Sequence, residues 1–534
     1  MMNHRVRNGG ILFILLLLYS PLFAKTYVEK GESSLVKLSP EGKLVYQKDK
    51  RGNRIPDFSM VGYHYGEKAI PKIEVKCTLS EKEGDDTVRI QDALDKIAKL
   101  PIDENGFRGA LLLKKGTYKV EGSLNIRDSG IVLRGEGSTK DGTTIIATGY
   151  GKKKNKRTLI SIGKGKKIEL IQDSKLTITD SYVPVGAKSF SLNSTKTLKV
   201  GDRVAVHRPA TKEWIELLDC SKFGWIPEDY HISFKRIITE IKDNRITLNA
   251  PIVQALDSKY GGGYVYHYNT ERRVSEIGIE FIRLMSEFSK PTADNPYGNP
   301  KKSGSSEKHG WDAIKINRNT EHTWVRNVTG KYFGWSLVSV SGKNATVQDC
   351  ASLGHASKIE GGRRYPFMIN GQLNLMQRCV AIGGRHEFVN QARTPGPNVF
   401  VDCIGYRSHS SCGPHHRYSM GDLYDNIQSG KHMESYNRGK MGSGHGWAGA
   451  QTLFYNCMAP AFRVKSPPEG ICWVIGSGKK GDTVRVKPES LYYQQVKDRL
   501  GEKALRNLVS DEQIKTLGQY LWSEKHMTRK KDKK

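Results

Sequence analysis

Between residues 361 and 447 one short pattern recurs: Gly361-Gly-Arg-Arg364, Gly383-Gly-Arg-His386 and Gly413-Pro-His-His416. The starts lie 22 and 30 residues apart, so each copy can occupy the same place in successive turns of a repeating chain. That alignment puts Arg364, His386 and His416 in one column and Arg363, Arg385 and His415 in a second. Adjacent side chains of a strand point to opposite faces, so only one column can line an outer groove cleanly. Arg417, Tyr418, Asn390 and Arg393, with His445 of Gly444-His-Gly-Trp447, extend the set, and the glycines among them let a ligand approach.

These residue types suit β-elimination on an acidic sugar chain. The uronate carboxylate must be neutralised, the proton at C5 removed and the departing oxygen at C4 protonated. Arg or His⁺ can do the first, neutral His or Tyr the second, and Tyr or His the third. We expect His416 or His386 as base, Tyr418 or His415 as acid and Arg385 or Arg417 as neutraliser. Arg363, Arg364, Asn390, Arg393 and His445 are left to bind substrate. Glycoside hydrolysis would need two carboxylates about 5 to 9.5 Å apart. Glu387, Asp402, Asp422 and Asp425 are available but do not recur as a pair, and Asp425-Asn426 reads as turn or scaffold. A calcium cage needs several oxygen ligands together, and no dense acidic cluster occurs in this stretch. His415, His416 and His445 lack a metal-signature spacing. No cofactor is therefore expected, and Ca²⁺ is not favoured. A hydrolase, a non-catalytic glycan binder, or ordinary outer-face residues of a basic chain remain the alternatives.

The elements that must position this set announce themselves through cysteine. Cys350, Cys379, Cys403 and Cys457 close similar stretches, Ala-Thr-Val-Gln-Asp-Cys, Asn-Leu-Met-Gln-Arg-Cys, Asn-Val-Phe-Val-Asp-Cys and Thr-Leu-Phe-Tyr-Asn-Cys. Their separations are 29, 24 and 54 residues, the last twice 27. Short strands at that period imply a solenoid of β coils, with the cysteines as small buried groups stacked about 4.8 Å apart rather than a disulfide framework. Thr87 to Lys99, with Ile90, Leu94 and Ile97 at helical spacing, predicts one amphipathic helix. Residues 180 to 255 read as a small β insertion without the coil period, and 286 to 309 as a long polar loop. Ser490 to Gly501 predicts a short C-terminal helix ended by glycine.

The charge and the first residues set the compartment and the partner. Basic residues, then Ile11-Leu-Phe-Ile-Leu-Leu-Leu-Leu18, then Ala24 form a secretory leader over 1–24, too short to span a bilayer. No second apolar span follows, so we expect an exported, periplasmic or secreted protein with no membrane insertion. The formal charge of +30 loses two Arg with the leader and a net five with the tail Lys525 to Lys534, leaving +23 on the body. Such a field gathers polyanions, and for an exported chain that means acidic polysaccharide rather than nucleic acid. The remaining divisions are a strap over 25–83, coil entry over 84–179, coils over 256–485 and helix with basic tail over 486–534. A monomer is expected.

A helix opened by Gly84-Asp-Asp-Thr, then Lys115-Gly-Thr-Tyr118, then Ile131-Val-Leu-Arg-Gly-Glu-Gly137 resembles the entry of a right-handed parallel β-helix of the pectate-lyase-like superfamily. The resemblance covers 84 to 150 and, through the repeat, 310 to 480. It implies an all-β solenoid whose N-terminal helix caps the open end. The stretch Gly413 to Asn426, with Asn437-Arg438 and Gly442-Ser-Gly-His-Gly-Trp447, resembles exported β-helix polysaccharide lyases, among them those acting on chondroitin- or dermatan-type glycosaminoglycans. Pectate- and alginate-type lyases stay open beside them, since the fold hosts several chemistries.

Overall fold

The computed structural model describes residues 26–150, 156–165, 169–271, 273–288, 307–479 and 484–509. The expected leader at 1–24, the basic tail and most of the expected 286–309 loop lie outside the described residues. The body is a parallel β-helix. Each coil contributes to a first face, seen in Asp312–Ile316, Ser336–Val340, Phe367–Ile369, Phe388–Asn390 and Gly413–Pro414, which belong to one seven-stranded sheet. A second face runs through Thr320–Arg326, Thr346–Gln348, Leu375–Gln377, Pro395–Val401 and Ser419–Asp425. A third runs through Thr329–Lys331, Ala351–Leu353, Val380–Ile382 and Ile404–Tyr406. The 13-residue strand Val274–Ser286 crosses both later faces and joins them into one sheet.

The corner between the second and third faces explains the cysteine pattern. Asn327, Asp349, Arg378, Asp402, Asn426 and Asn456 all hold φ between 50° and 55° there. One left-handed residue bends the chain sharply, and Asn and Asp reach that region at little cost. The next side chain falls inward: Val328, Cys350, Cys379, Cys403, Ile427 and Cys457, all buried. The 54-residue gap is thus two coils of 24 and 30 residues, with Ile427 in the place of a cysteine. A thiol fits because the corner is narrow and the site dry. None of the eight cysteines is in a disulfide, and only Cys77 is less than fully buried. A thiol reagent should therefore label the native protein at no more than Cys77 within minutes and reach all eight in denaturant; several fast native thiols would contradict the stack.

The ends and flanks follow from apolar surface that the coils leave uncovered. The helix Thr87–Ala98 lays Ile90, Ala93, Leu94 and Ile97 on the first coils and closes that end. Tyr27–Glu29 pairs in parallel with Trp473–Ile475, so the first described strand sits on the last coil. It then runs back as a strap, placing Ile55, Phe58 and Val61 on Leu375, Val399 and Leu423 outside the second face. The C-terminal helix Leu491–Leu500 covers the same side and ends at Gly501, φ 81°. Asp425 anchors its start, accepting from Ser490 Oγ at 2.7 Å and Tyr492 N at 2.8 Å. The insertion is wider than 180–255. Its six-stranded antiparallel sheet extends to Leu176–Thr177 and Tyr264–His267, because Val265 pairs with both Leu176 and Val206.

Candidate active site

Three consecutive coils and one loop converge on the outer side of the first face. Tyr365 precedes the strand Phe367–Ile369, and Arg385 and His386 precede Phe388–Asn390. His415, His416 and Arg417 follow Gly413–Pro414. Arg438 and His445 lie in the chain between Met433–Ser435 and Gly449–Ala450. That loop is held by the insertion: Trp225 Nε1 donates to Gly444 O at 2.9 Å and Trp447 Nε1 to Leu218 O at 3.1 Å. Gly446, at φ 52°, sits where a Cβ would lie 2.5 Å from the Trp225 ring, so only glycine allows this approach.

Strand pairing corrects the columns drawn from the glycines. Phe367 pairs with Phe388 and Val389 with Gly413, steps of 21 and 24 residues rather than 22 and 30. Arg364, His386 and His416 therefore do not stack. The imidazoles meet nonetheless, because His386 enters one strand while His415 and His416 leave the next. Ring centroids are 4.4 Å apart for His386 and His415, 5.0 Å for His415 and His416, and 4.9 Å for His416 and His445.

Several of the expected site residues sit elsewhere. Arg364 is buried and donates to the Ser357 carbonyl at 2.9 Å, fastening its own loop. Arg363 pairs with Glu307 at 2.6 Å and lies over Trp311. Asn390 turns into the coil and accepts from Tyr424 Oη at 2.7 Å. Arg393 crosses to the insertion, donating to Asp229 O at 2.8 Å. Tyr418 leaves the histidines because Arg417 and Tyr418, at φ 54° and 62°, form two left-handed steps that reverse the side-chain direction. Its ring packs edge-on against Trp214, 5.0 Å between centroids, and burial pushes its phenol well above the ordinary value.

Tyr365 takes the place in the cluster that the sequence reading gave to Tyr418. Its Oη meets Arg385 Nη1 at 3.0 Å and His415 Nε2 at 3.2 Å. His415 Nδ1 meets Arg438 Nη1 at 3.0 Å, and the same nitrogen donates to His415 O at 2.6 Å. Arginine only donates, so His415 Nδ1 accepts and its proton sits on Nε2. Tyr365 Oη then receives two N–H groups, and its own O–H is left for a ligand. His386 Nδ1 lies 2.7 Å from the Ser411 carbonyl, which only accepts, so its Nε2 carries the lone pair. The register could have exposed Tyr365, which stands two residues before Phe367 as His386 stands before Phe388. Arg438 carried no such signal.

The electrostatics of the cluster are one-sided. Burial, and then the neighbouring imidazoles and guanidiniums, hold all four imidazoles neutral: His386 and His415 fall well below the ordinary value, His416 to about 3 and His445 to about 4. Arg385, Arg417 and Arg438 supply that field, and their partners are the neutral Tyr365 Oη, Ser443 O and His415 O. The carboxylates considered for hydrolysis are buried, Asp402 and Asp425 of them against the C-terminal helix outside the second face. Burial raises Glu387 to about 8, Asp422 and Asp425 to about 7 and Asp402 to about 6. Among the described residues no group of three His, Cys, Asp or Glu is arranged to hold a metal ion. His416 opens onto a groove of about 930 Å³ between the insertion and the coils.

No protein-family model matches the chain, and no curated protein matches it by sequence. Among solved structures it is similar to the tailspike protein gp49 from Pseudomonas phage LKA1, 12% identical over 74% of this chain and 72% of the other, TM-score 0.36. It is similar also to the pectin methylesterase PemA from Erwinia chrysanthemi, 11% identical over 81% and 97%, TM-score 0.32. A third is the alginate lyase from Paenibacillus sp. str. FPU-7, 9% identical over 76% and 100%, TM-score 0.31.

Proposed function

We propose that the chain is an exported polysaccharide lyase that cleaves a uronic-acid-containing glycan by β-elimination, with a sulfated glycosaminoglycan of the chondroitin or dermatan type as substrate. One observation carries the reading: three guanidiniums without a carboxylate partner among the described residues surround neutral imidazoles and a tyrosine whose O–H is unspent. Cations held in a partly buried site are stabilised when an anion enters. Arg385, Arg417 and Arg438 would take the uronate carboxylate, whose charge also offsets the field that keeps His416 weakly basic. His416, at the groove, would remove the C5 proton. Tyr365 would give its proton to O4 as the C4–O bond breaks and the C4–C5 double bond forms, its oxygen then held by Arg385 and His415. No step in this scheme calls for a metal.

The test is incubation with chondroitin sulfate, dermatan sulfate, hyaluronan, heparin-type chains, pectate and alginate, with and without chelator, while far-ultraviolet absorbance is followed. A rise reports the unsaturated uronate that elimination makes, and its loss with chelator would overturn the metal-independent scheme. New reducing ends without a rise would overturn elimination itself. In the same assay His416→Ala should lower turnover by about 10²-fold with folding unchanged. Full activity would remove His416 from the mechanism.

A further inference from the structure

The groove beyond His416 is built from one turn repeated in five coils. Arg318, Lys343, Gln372, Arg393 and His416 each follow a strand of the seven-stranded sheet and each lines the groove. Strands about 4.8 Å apart make this floor about 19 Å long. The insertion strand Ile232–Lys242 forms the facing wall, and Lys235 N donates to Gln372 Oε1 at 2.7 Å. Lys235 thus stands two coils, about 10 Å, from the His416 turn.

Charge around Lys235 is unbalanced. The buried carboxylate of Glu321 is shared by Arg203 at 2.7 Å, Arg273 at 2.5 Å and Lys343 at 2.9 Å. Lys235 and Arg318 lie in the same field with no ion pair among the described residues. The acids that line the groove, Glu169, Glu228 and Asp229, are exposed at its mouth, and Asp229 faces Arg393 at 3.5 Å. Burial, then Arg273, Lys343 and Arg318, bring the Lys235 amine down to about 7, the response of an ammonium that lacks its anion.

We propose that Lys235 and Arg318 form a subsite for an anionic substituent of the glycan, a sulfate ester or a uronate carboxylate, two coils away from the bond that is cleaved. This rests on the groove being the glycan path. The subsite would make the insertion a reader of the charge pattern rather than a cover for the coils.

Equilibrium binding tests this in a His416→Ala background, so that chains are not consumed, with chondroitin sulfate and chemically desulfated chondroitin as probes. Lys235→Met and the exposed Arg318→Ser should each weaken binding of the sulfated chain about tenfold or more, and Lys235→Arg should retain it. Equal weakening for the desulfated chain assigns the anion as carboxylate, and indifference of that chain assigns it as sulfate. Unchanged binding of both chains by both variants, or no binding of either chain by the parent, overturns the subsite. Cleavage is read separately on the unmutated protein: a chain that binds at Lys235 yet gives no absorbance rise would sink the lyase reading and leave the subsite standing.

Discussion

Tyr365→Phe is expected to lower kcat by about 10³-fold while KM moves by only a few-fold, because the change removes the proton donor and leaves the binding cations in place. The ring stays useful after the substitution. It packs on Trp335, 6.1 Å between centroids, and belongs with Met368 and Val389 to a small apolar cluster. What is lost is the oxygen that accepts from Arg385 and His415. Leaving such donors unmet costs about 1 to 3 kcal/mol, so the melting temperature should fall modestly. Tyr418→Phe is the control, since its hydroxyl faces the insertion core and not the histidines; its turnover should stay within a few-fold. A kcat for Tyr365→Phe within tenfold of the parent would remove the phenol from the proton transfer and return the acid to His415, whose Nε2 carries a proton.

How much of this was legible depends on which physical rule governed each residue. The solenoid was readable because a buried corner tolerates few side chains, so cysteine recurs at four of the six corners whose preceding residue is left-handed. The helix Thr87–Ala98 was readable because an amphipathic repeat writes its own period. The convergence of His386, His415, His416 and His445 was visible as a density of one residue type, yet its internal geometry was not. Glycine spacing is a poor ruler for coils, because turn lengths change while strands stay in register. Hence the step of 30 residues read between Gly383 and Gly413 crosses strands that pair 24 apart. Tyr418 was misplaced for a related reason: alternation fixes the facing of a side chain only inside a strand, and left-handed steps intervene there. Asn390 does obey alternation, pointing inward two residues after the core residue Phe388, and was misplaced because the phase of that strand is not written in the sequence. Arg438 comes from a different coil and acts through His415, a relation no local pattern can encode.

Arg438 is the residue on which charge and proton position meet, and Arg438→Met should cost about 10³-fold in kcat for two separable reasons. The first is tautomeric. With no donor at Nδ1, His415 can move its proton there and present a bare Nε2 to Tyr365, whose O–H would then turn to the imidazole and be lost to the substrate. The second is the field. Arg438⁺ disfavours protonation of His386, His415, His416 and His445. Removing it raises their pKa values, so the base becomes protonated at a higher pH and the acidic limb of the activity profile moves upward. Arg438→Lys separates the two. Lysine keeps the charge but is a point donor that does not reproduce the guanidinium's reach to both Nδ1 and the backbone carbonyl. It should therefore lose much of the turnover while leaving the acidic limb where it was. An Arg438→Met enzyme with parental turnover and an unshifted limb would show that neither the tautomer of His415 nor this guanidinium's field takes part in the reaction.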